Sequence, residues 1–328
     1  ARARLRRTLV NDVAVLGVGM SRFVATTDLS LRAQTYLAGA RALEDAGIDF
    51  TQVQRVYTAF IFEPTMTGVR FTKEFGLTGV PVQRIENASA TGSAALHEAV
   101  LAVSGGQVDI AMVLGFDDMQ KNVSVGMTKD SVDGVILPAA FFALWAKDRM
   151  KEYGTSPEVL ATIAAKNWNN GALNPMAQRQ PTTPVTPEMV LASKMISDPL
   201  TSMMAAAVGQ GAAAVIIARA DLARKLHSDR PQIVIRSSVL ESERYTERHL
   251  FAGPVVGPPA MTRSAARAAY EQAGVGPEDI DLVQVHDAFP IEELLYYELL
   301  GFCADGEGER LVKDGTTMLG GPLPFSTD

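Results

Sequence analysis

Ala42-Leu-Glu-Asp-Ala-Gly-Ile-Asp-Phe-Thr-Gln-Val-Gln-Arg-Val56 and Ala269-Tyr-Glu-Gln-Ala-Gly-Val-Gly-Pro-Glu-Asp-Ile-Asp-Leu-Val283 can be laid on one another without a gap. They share Ala, Glu, Ala, Gly and the closing Val, and the pairs Ile48/Val275 and Val53/Ile280 are conservative. Each copy reads as a helix, a glycine stop, a short loop and a strand, because glycine accepts the left-handed conformation that ends a helix. A helix–Ala-Gly–strand unit can recur by chance in α/β chains. Here each copy comes after a β-rich opening at a similar distance, Val13–Gly19 in one case and Ile233–Val239 in the other. That common spacing favours duplication of one α/β unit.

Working outward, Val13–Gly19 reads as a buried strand, Leu29–Ala46 as a helix stopped by Gly47, and Val53–Phe62 as the next strand. A small-residue helix over Ala94–Ser104 and an apolar strand over Asp109–Gly115 come next. Strand and helix alternate, so the sheet is expected to be parallel in part and covered by helices. Between Asp117 and Leu200 the alternation is lost and helices are predicted at Pro138–Tyr153 and Pro157–Asn169, which reads as an insertion. Alternation resumes at Gly211–Ile217, and Ser228-Asp-Arg-Pro231 is the linker candidate. The expected division is 1–230, containing the insertion 117–200, and 231–328.

Composition narrows the function. In 328 residues the chain is 47% hydrophobic and 20% charged, which excludes a disordered protein. Its 30 Lys+Arg against 37 Asp+Glu give a net charge of -7, so no nucleic-acid partner is expected. The one cysteine, Cys303, rules out an internal disulfide framework and a cysteine-based zinc site, and makes a reducing, cytoplasmic setting the expectation. The first seven residues carry four arginines, and Asn11 and Asp12 interrupt any apolar run after them, so no signal peptide is read. The longest apolar stretch, Ala205–Ala218, is broken by Gln210 and falls short of the roughly 18 to 20 residues of a membrane span.

Two constellations could carry chemistry. In Glu86-Asn-Ala-Ser-Ala-Thr-Gly-Ser93 a strand enters a tight turn and a small-residue helix leaves. Ser89 then stands near a helix N-terminus, where backbone N–H groups favour an oxyanion, while Ser89, Thr91 and Ser93 could equally be caps. In Val283-Gln-Val-His-Asp-Ala-Phe-Pro-Ile-Glu-Glu-Leu-Leu-Tyr-Tyr297 an apolar strand ends at His286-Asp287, and Pro290 opens a helix with Glu292 and Glu293 in its first turn. Carboxyl ends of sheet strands are where α/β proteins place sites. Tyr296 and Tyr297 point in different directions, so at most one shares a site with His286. Asn167, Asn169, Asn170 and Asn174 form a polar cluster that could hydrogen-bond a substrate, with a solvated helix end as the favoured reading. Val15–Gly19 lacks the third glycine of a dinucleotide fingerprint, so no nicotinamide cofactor is inferred. His97, His227 and His249 lack ligand spacing, so no metal site is expected, and Cys303 reads as a buried inert thiol.

In this order and with this duplication, the constellations resemble the thiolase superfamily, most closely its branch around sterol carrier protein X and the lipid-transfer-type thiolases. His286-Asp-Ala-Phe-Pro-Ile-Glu-Glu-Leu294 resembles the family's His-Asp-Cys-Phe motif, and Leu300-Gly-Phe-Cys-Ala-Asp-Gly-Glu-Gly308 the segment after it. Asp198-Pro-Leu-Thr201 and Gly209-Gln-Gly-Ala-Ala-Ala-Val215 are similar to the stretch before the family's central strand. The resemblance implies an α/β thiolase fold of two related βαβα halves in a layered αβαβα sandwich, with an insertion in the first half. It also implies that a Gly-His-Pro loop and a final Cys-x-Gly loop would come after Asp328.

One departure matters. Where the family carries its nucleophilic cysteine, in a pattern like Cys-Ser-Thr-Gly-Ser, this chain reads Ser89-Ala-Thr-Gly-Ser93. Serine is far less ionised at neutral pH than a thiol, so acyl-enzyme thiolysis is not expected without an adjacent base. Members without that cysteine include aldolases that cleave steroid side-chain acyl-CoA thioesters, as in cholesterol catabolism. The resemblance thus implies a carbon–carbon lyase acting on a β-hydroxyacyl-CoA, with His286 in the oxyanion site, Tyr296 or Tyr297 as acid/base, and Ser89 and Asp287 lining the substrate. The alternatives are an acyl-CoA acetyltransferase or thiolase of lipid degradation, and a non-catalytic acyl-CoA- or lipid-binding subunit. No cofactor is implied beyond the coenzyme A carried by the substrate. The implied partners are a second copy, joined through the central sheet, and a small OB-fold, zinc-ribbon acyl-CoA-binding protein.

Overall fold

The computed structural model describes residues 11–119, 138–242 and 259–328. The arginine-rich first residues, part of the insertion and His249 lie outside the described residues. In chain order the elements are β1 (Val13–Met20), α1 (Leu31–Ala46), β2 (Arg55–Ala59), α2 (Thr67–Thr72), β3 (Val82–Ile85), α3 (Thr91–Ser104) and β4 (Ile110–Asp118). Then come α4 (Pro138–Tyr153), α5 (Pro157–Leu173), α6 (Pro187–Leu191), β5 (Met195–Ser197), β6 (Leu200–Thr201) and β7 (Gln210–Arg219). The chain continues through α7 (Ala220–Leu226), β8 (Ile233–Ile235), α8 (Pro259–Ala273), α9 (Pro290–Leu299) and α10 (Gly308–Lys313). The described residues fall into two compact units, 11–119 with 208–240 and 138–207 with 241–242 and 259–328. Residues 138–200 of the expected insertion therefore pack with the C-terminal part of the chain.

The first unit is built on a six-stranded sheet of order β3-β2-β4-β7-β1-β8. Strands β3, β2 and β4 are parallel, and β7 runs antiparallel to both β4 and β1. The central strands are small and β-branched because both of their faces are covered. On one face Leu16, Met112, Leu114 and Ile216 meet Ala38, Ala42 and Ala46 of α1. On the other, Tyr57, Ala111, Val113 and Ile217 meet Ala95, Ala99 and Val103 of α3. The glycines of β1 let α1 approach: a Cβ on Gly17 would stand 2.5 Å from the Ala42 carbonyl oxygen, and one on Gly19 2.3 Å from that of Ala38. These glycines serve helix–strand packing.

The repeat is visible in three dimensions. Helix α1 ends at Gly47 (φ 61) and α8 at Gly274 (φ 71), both left-handed, and a one-turn 3-10 helix comes after each, Phe50–Gln52 and Pro277–Asp279. In each copy a side chain closes that turn by accepting a backbone N–H: Asp49 N donates to Gln52 Oε1 (3.0 Å), and Gly276 N to Asp279 Oδ2 (2.8 Å). The copies then diverge. The first enters β2, whereas the second makes one parallel bridge, Val283 with Phe325. The opening expected as a strand over Ile233–Val239 is strand only at β8, and it pairs antiparallel with Val13–Val15 at the edge of the first unit's sheet.

The second unit has a core of Phe142, Leu160, Ile163, Ile291, Leu294 and Phe325. Helix α5 packs on α6, α9 and α10, and the ribbon β5–β6 lies against α4. This arrangement sets the inner face of α5 beside the start of α9. Among the described residues no helix is long and apolar enough to cross a membrane.

Candidate active site

Helix α9 begins as its sequence dictates. Phe289 is extended (φ -144), Pro290 supplies the first helical position, and Glu292 and Glu293 occupy the first turn, where the helix dipole favours carboxylates. Both glutamates are completely buried, at 0% exposure. A buried carboxylate needs partners, and each has them. Glu292 Oε1 accepts from His286 Nδ1 at 2.9 Å. Glu293 Oε1 pairs with Lys166 Nζ at 2.6 Å and accepts the Tyr297 hydroxyl, while Oε2 accepts from Asn167 Nδ2 at 2.9 Å. The same Asn167 nitrogen donates to Asp287 Oδ2 at 2.7 Å. Lys166 also donates to the Phe325 carbonyl (2.5 Å), and Asn170 to that of Ser326 (2.9 Å).

The asparagines are therefore not a solvated helix end, at least at Asn167 and Asn170. Ile163, Lys166, Asn167 and Asn170 have the i, i+3, i+4, i+7 spacing of a buried helical stripe, and that spacing is the signal that could have found Lys166. A lysine on such a stripe needs an internal anion, and Glu293 supplies it.

Burial, and then the charge of Glu293, push the Asp287 carboxyl up to about 7. Burial likewise raises Glu292. The Glu292 hydrogen bond raises His286, whose side chain is 41% exposed. Lys166 thus pairs with Glu293 and His286 with Glu292, leaving Asp287 as the group brought near neutrality. Burial, then Glu292, pushes Tyr296 up to about 12, and burial raises Tyr297 well above the usual phenol range. Both phenols are proton donors at neutral pH. Tyr297 is fully buried, bonded to Glu293 and edge-on to Phe325 (4.6 Å, 85°), so it holds Glu293 in place. Tyr296 is the half-buried one of the two. Asp287 and Asn167 line a cavity of about 200 Å³, with Trp168, Arg179, Met203, Ala205 and Pro290 also on its wall.

His286, Asp287, Tyr296 and Tyr297 share the second unit, whereas Ser89 belongs to the first. Ser89 is exposed, between Ala88 (φ 45) and Ala90, the N-cap of α3. Thr91 closes this turn, its hydroxyl donating to the Ala88 carbonyl (2.6 Å) and accepting from Asn87 N (2.8 Å). An alanine at positive φ stores strain of the kind found at ligand-binding turns. Among the described residues no acidic or basic side chain is hydrogen-bonded to the Ser89 hydroxyl. Cys303 is half-buried, and burial together with Glu298 pushes its thiol up to about 11. His227 donates to the Ala46 carbonyl (2.8 Å), and His97 bonds Ser238 Oγ (2.9 Å). Among the described residues no three His, Cys, Asp or Glu side chains are grouped to hold a metal ion.

Comparison with known proteins agrees with this architecture. Residues 13–221 match the family described as Thiolase, N-terminal domain, and residues 243–328 match Thiolase C-terminal domain-like. An acetyl-CoA acetyltransferase of Methanothermobacter thermautotrophicus is 35% identical over 97% of this chain and 84% of its own length. Sterol carrier protein 2 of Homo sapiens is 33% identical over 97% of this chain, which spans 61% of that relative. Among solved structures, the Ltp2-ChsH2(DUF35) aldolase superposes with a TM-score of 0.79 at 22% identity, covering 97% of this chain and 84% of that one. With both thiolase domains matched in order and the sheet, repeat and second-half motif in place, the chain belongs to the thiolase superfamily.

Proposed function

We propose that this thiolase-fold protein is an aldolase that cleaves a branched or steroid side-chain β-hydroxyacyl-CoA by a retro-aldol reaction, releasing a ketone and a short acyl-CoA such as propionyl-CoA. The observation that carries the reading is a proton-transfer cluster without a thiol: Asp287, titrating at about 7, on a cavity wall in the same unit as the His286–Glu292 pair. Retro-aldol cleavage needs a base at the β-hydroxyl and donors at the thioester oxygen, and no covalent intermediate.

In this scheme the Asp287 carboxylate takes the hydroxyl proton, the O–H electrons form the ketone, and the Cα–Cβ pair passes into the thioester enolate. His286, in the imidazolium form that its bond to Glu292 favours, donates from Nε2 to the enolate oxygen. Tyr296, kept protonated, delivers the proton to Cα, and exchange with solvent resets the pair. Ser89 does not act as a nucleophile in this scheme. Coenzyme A arrives on the substrate, so no further cofactor enters. The scheme includes a homodimer formed through the sheet edge at β3. It also includes a hetero-complex with a small OB-fold, zinc-ribbon acyl-CoA-binding protein, an idea supported by the pairing of Ltp2 with ChsH2(DUF35) in the similar aldolase.

A second reading, acyl transfer, draws on the acetyltransferase relative at 35% identity. Incubation with acyl-CoA and then intact-mass measurement separates the two. Cleavage to a ketone with no mass increase is the expected result, and a stable acyl adduct on Ser89 would sink the aldolase. Binding without turnover, even with an OB-fold partner present, would point instead to a non-catalytic subunit.

A further inference from the structure

The cavity beside Asp287 carries on its wall a cation that the proposed chemistry leaves unused. Arg179 lays its guanidinium on the Trp168 indole, 4.1 Å from the ring centroid, and donates from Nη2 to the Ala205 carbonyl at 2.8 Å. Trp168 is itself fixed, donating Nε1 to the Met203 carbonyl at 2.8 Å. The stack and the two hydrogen bonds hold the guanidinium in one orientation. A guanidinium offers five N–H donors in a rigid fork, shaped for a carboxylate or a phosphate. Burying it without a countercharge is costly. Arg149, in the same unit, shows the ordinary solution, with both terminal nitrogens on Glu298 at 2.6 Å. Arg179 has no such partner: among the described residues no carboxylate stands within ion-pair distance of it, and burial alone pulls its pKa below the usual arginine range. Asp287 and Asp328 stand on the same wall, neither of them within ion-pair distance of the guanidinium, and burial pushes the Asp287 carboxyl up to about 7.

We infer that Arg179, seated on Trp168, forms an anion subsite of this cavity that takes a carboxylate or phosphate group of the bound ligand. The inference rests on reading the cavity as an acyl-thioester site. At about 200 Å³ the cavity has room for a short carboxylate-bearing chain or a phosphate group.

The test is equilibrium binding to the full chain, for wild type and R179Q. The probes are a CoA thioester whose acyl chain ends in a carboxylate, its methyl-ended counterpart, and free CoA. A loss of at least about tenfold on the carboxylate-ended thioester alone assigns the anion to the acyl chain. An equal loss on all three assigns it to a phosphate of the carrier. R179Q binding every probe as wild type does overturns the inference. If wild type binds no thioester at all, the aldolase reading fails while the subsite remains testable: succinate or inorganic phosphate should raise the thermal midpoint of wild type and leave that of R179Q unmoved. An equal response of the two again overturns the subsite. R179K, which keeps the charge but loses the fork and the stack, should fall between them, and ligand-free midpoints show that both variants fold.

Discussion

Two turns of this chain share a plan and differ in content. Glu86–Ser93 and His286–Glu293 both lead into helices, α3 and α9, whose first-turn N–H groups lack intrahelical partners. The first is lined by small and hydroxyl side chains; it is largely exposed and is closed by its own Thr91. The second gathers Asp287, Glu292, Glu293, Lys166 and His286, with both glutamates and the lysine fully withdrawn from water. A thiolase fold thus offers two helix-entry turns, and this sequence puts the buried titratable groups at one of them, the first carrying only the exposed Glu86. Proton chemistry and the cost of burying charge are concentrated in the second half. The first half keeps an exposed turn held by local hydrogen bonds, Asn87 N to the Thr91 hydroxyl and Ala88 N to the Glu86 carboxylate.

The largest expected effect is on stability. Lys166→Met removes the cation paired with Glu293 while leaving the carboxylate buried, which costs about 3–5 kcal/mol. Ser89→Ala, at an exposed turn, should change stability by no more than about 0.5 kcal/mol. Urea midpoints for the two variants measure the contrast. Equal midpoints would mean that the buried ion cluster contributes nothing to folding.

Next in size is the effect on chemistry. If His286 holds the enolate oxygen, His286→Ala should lower carbon–carbon cleavage by about 10²–10³-fold, the usual cost of losing one oxyanion donor. Ser89→Ala should leave the rate within a few-fold. The reverse ranking, with Ser89 essential and His286 dispensable, would return the catalytic weight to the first turn and favour acyl transfer.

Legibility from sequence divides along the same line. The duplicated helix–Gly–strand segment was legible because glycine stops and β-branched runs are local signals, and both Gly47 and Gly274 take the left-handed conformation expected of them. His286, Asp287 and the first-turn glutamates were legible as a motif. Their roles were not, because those depend on α5, more than a hundred residues earlier in the chain. Asn167 and Lys166 look like ordinary polar residues of a helix until α9 packs against it. The adjacent tyrosines were ambiguous for the same reason: only packing shows that Tyr297 faces Phe325 and Glu293, leaving Tyr296 as the candidate acid. The strand expected after Ile235 also failed to form, since nothing local tells a short apolar run whether a sheet edge awaits it. At β8 the edge of β1 receives only Ile233–Ile235.

The smallest expected effect is also the most specific. The Asp287 pKa is 3.8 in an unfolded chain and about 7 in the folded one, so between these values the native state holds a proton that the unfolded state has released. Its contribution to stability is complete below about pH 4 and is lost as pH rises through about 7. Glu292, also raised, acts in the same direction. His286 does so too, adding stability that is fully present below its unfolded value of 6.5 and lost as pH rises through its higher folded value. Asp221, lowered to about 2, acts oppositely, but only in the acid range below the unfolded carboxylate value. Between pH 5 and 8 the thermal midpoint should therefore fall by a few degrees, while cleavage, which needs the Asp287 carboxylate, should rise over the same interval. Asp287→Asn should make the midpoint profile shallower, leaving the share of Glu292 and His286, and remove the rising limb of activity, while Ser89→Ala should alter neither. A midpoint slope as steep in Asp287→Asn as in the wild type would place the titrating proton on another group of the cluster, with Glu292 the next to test.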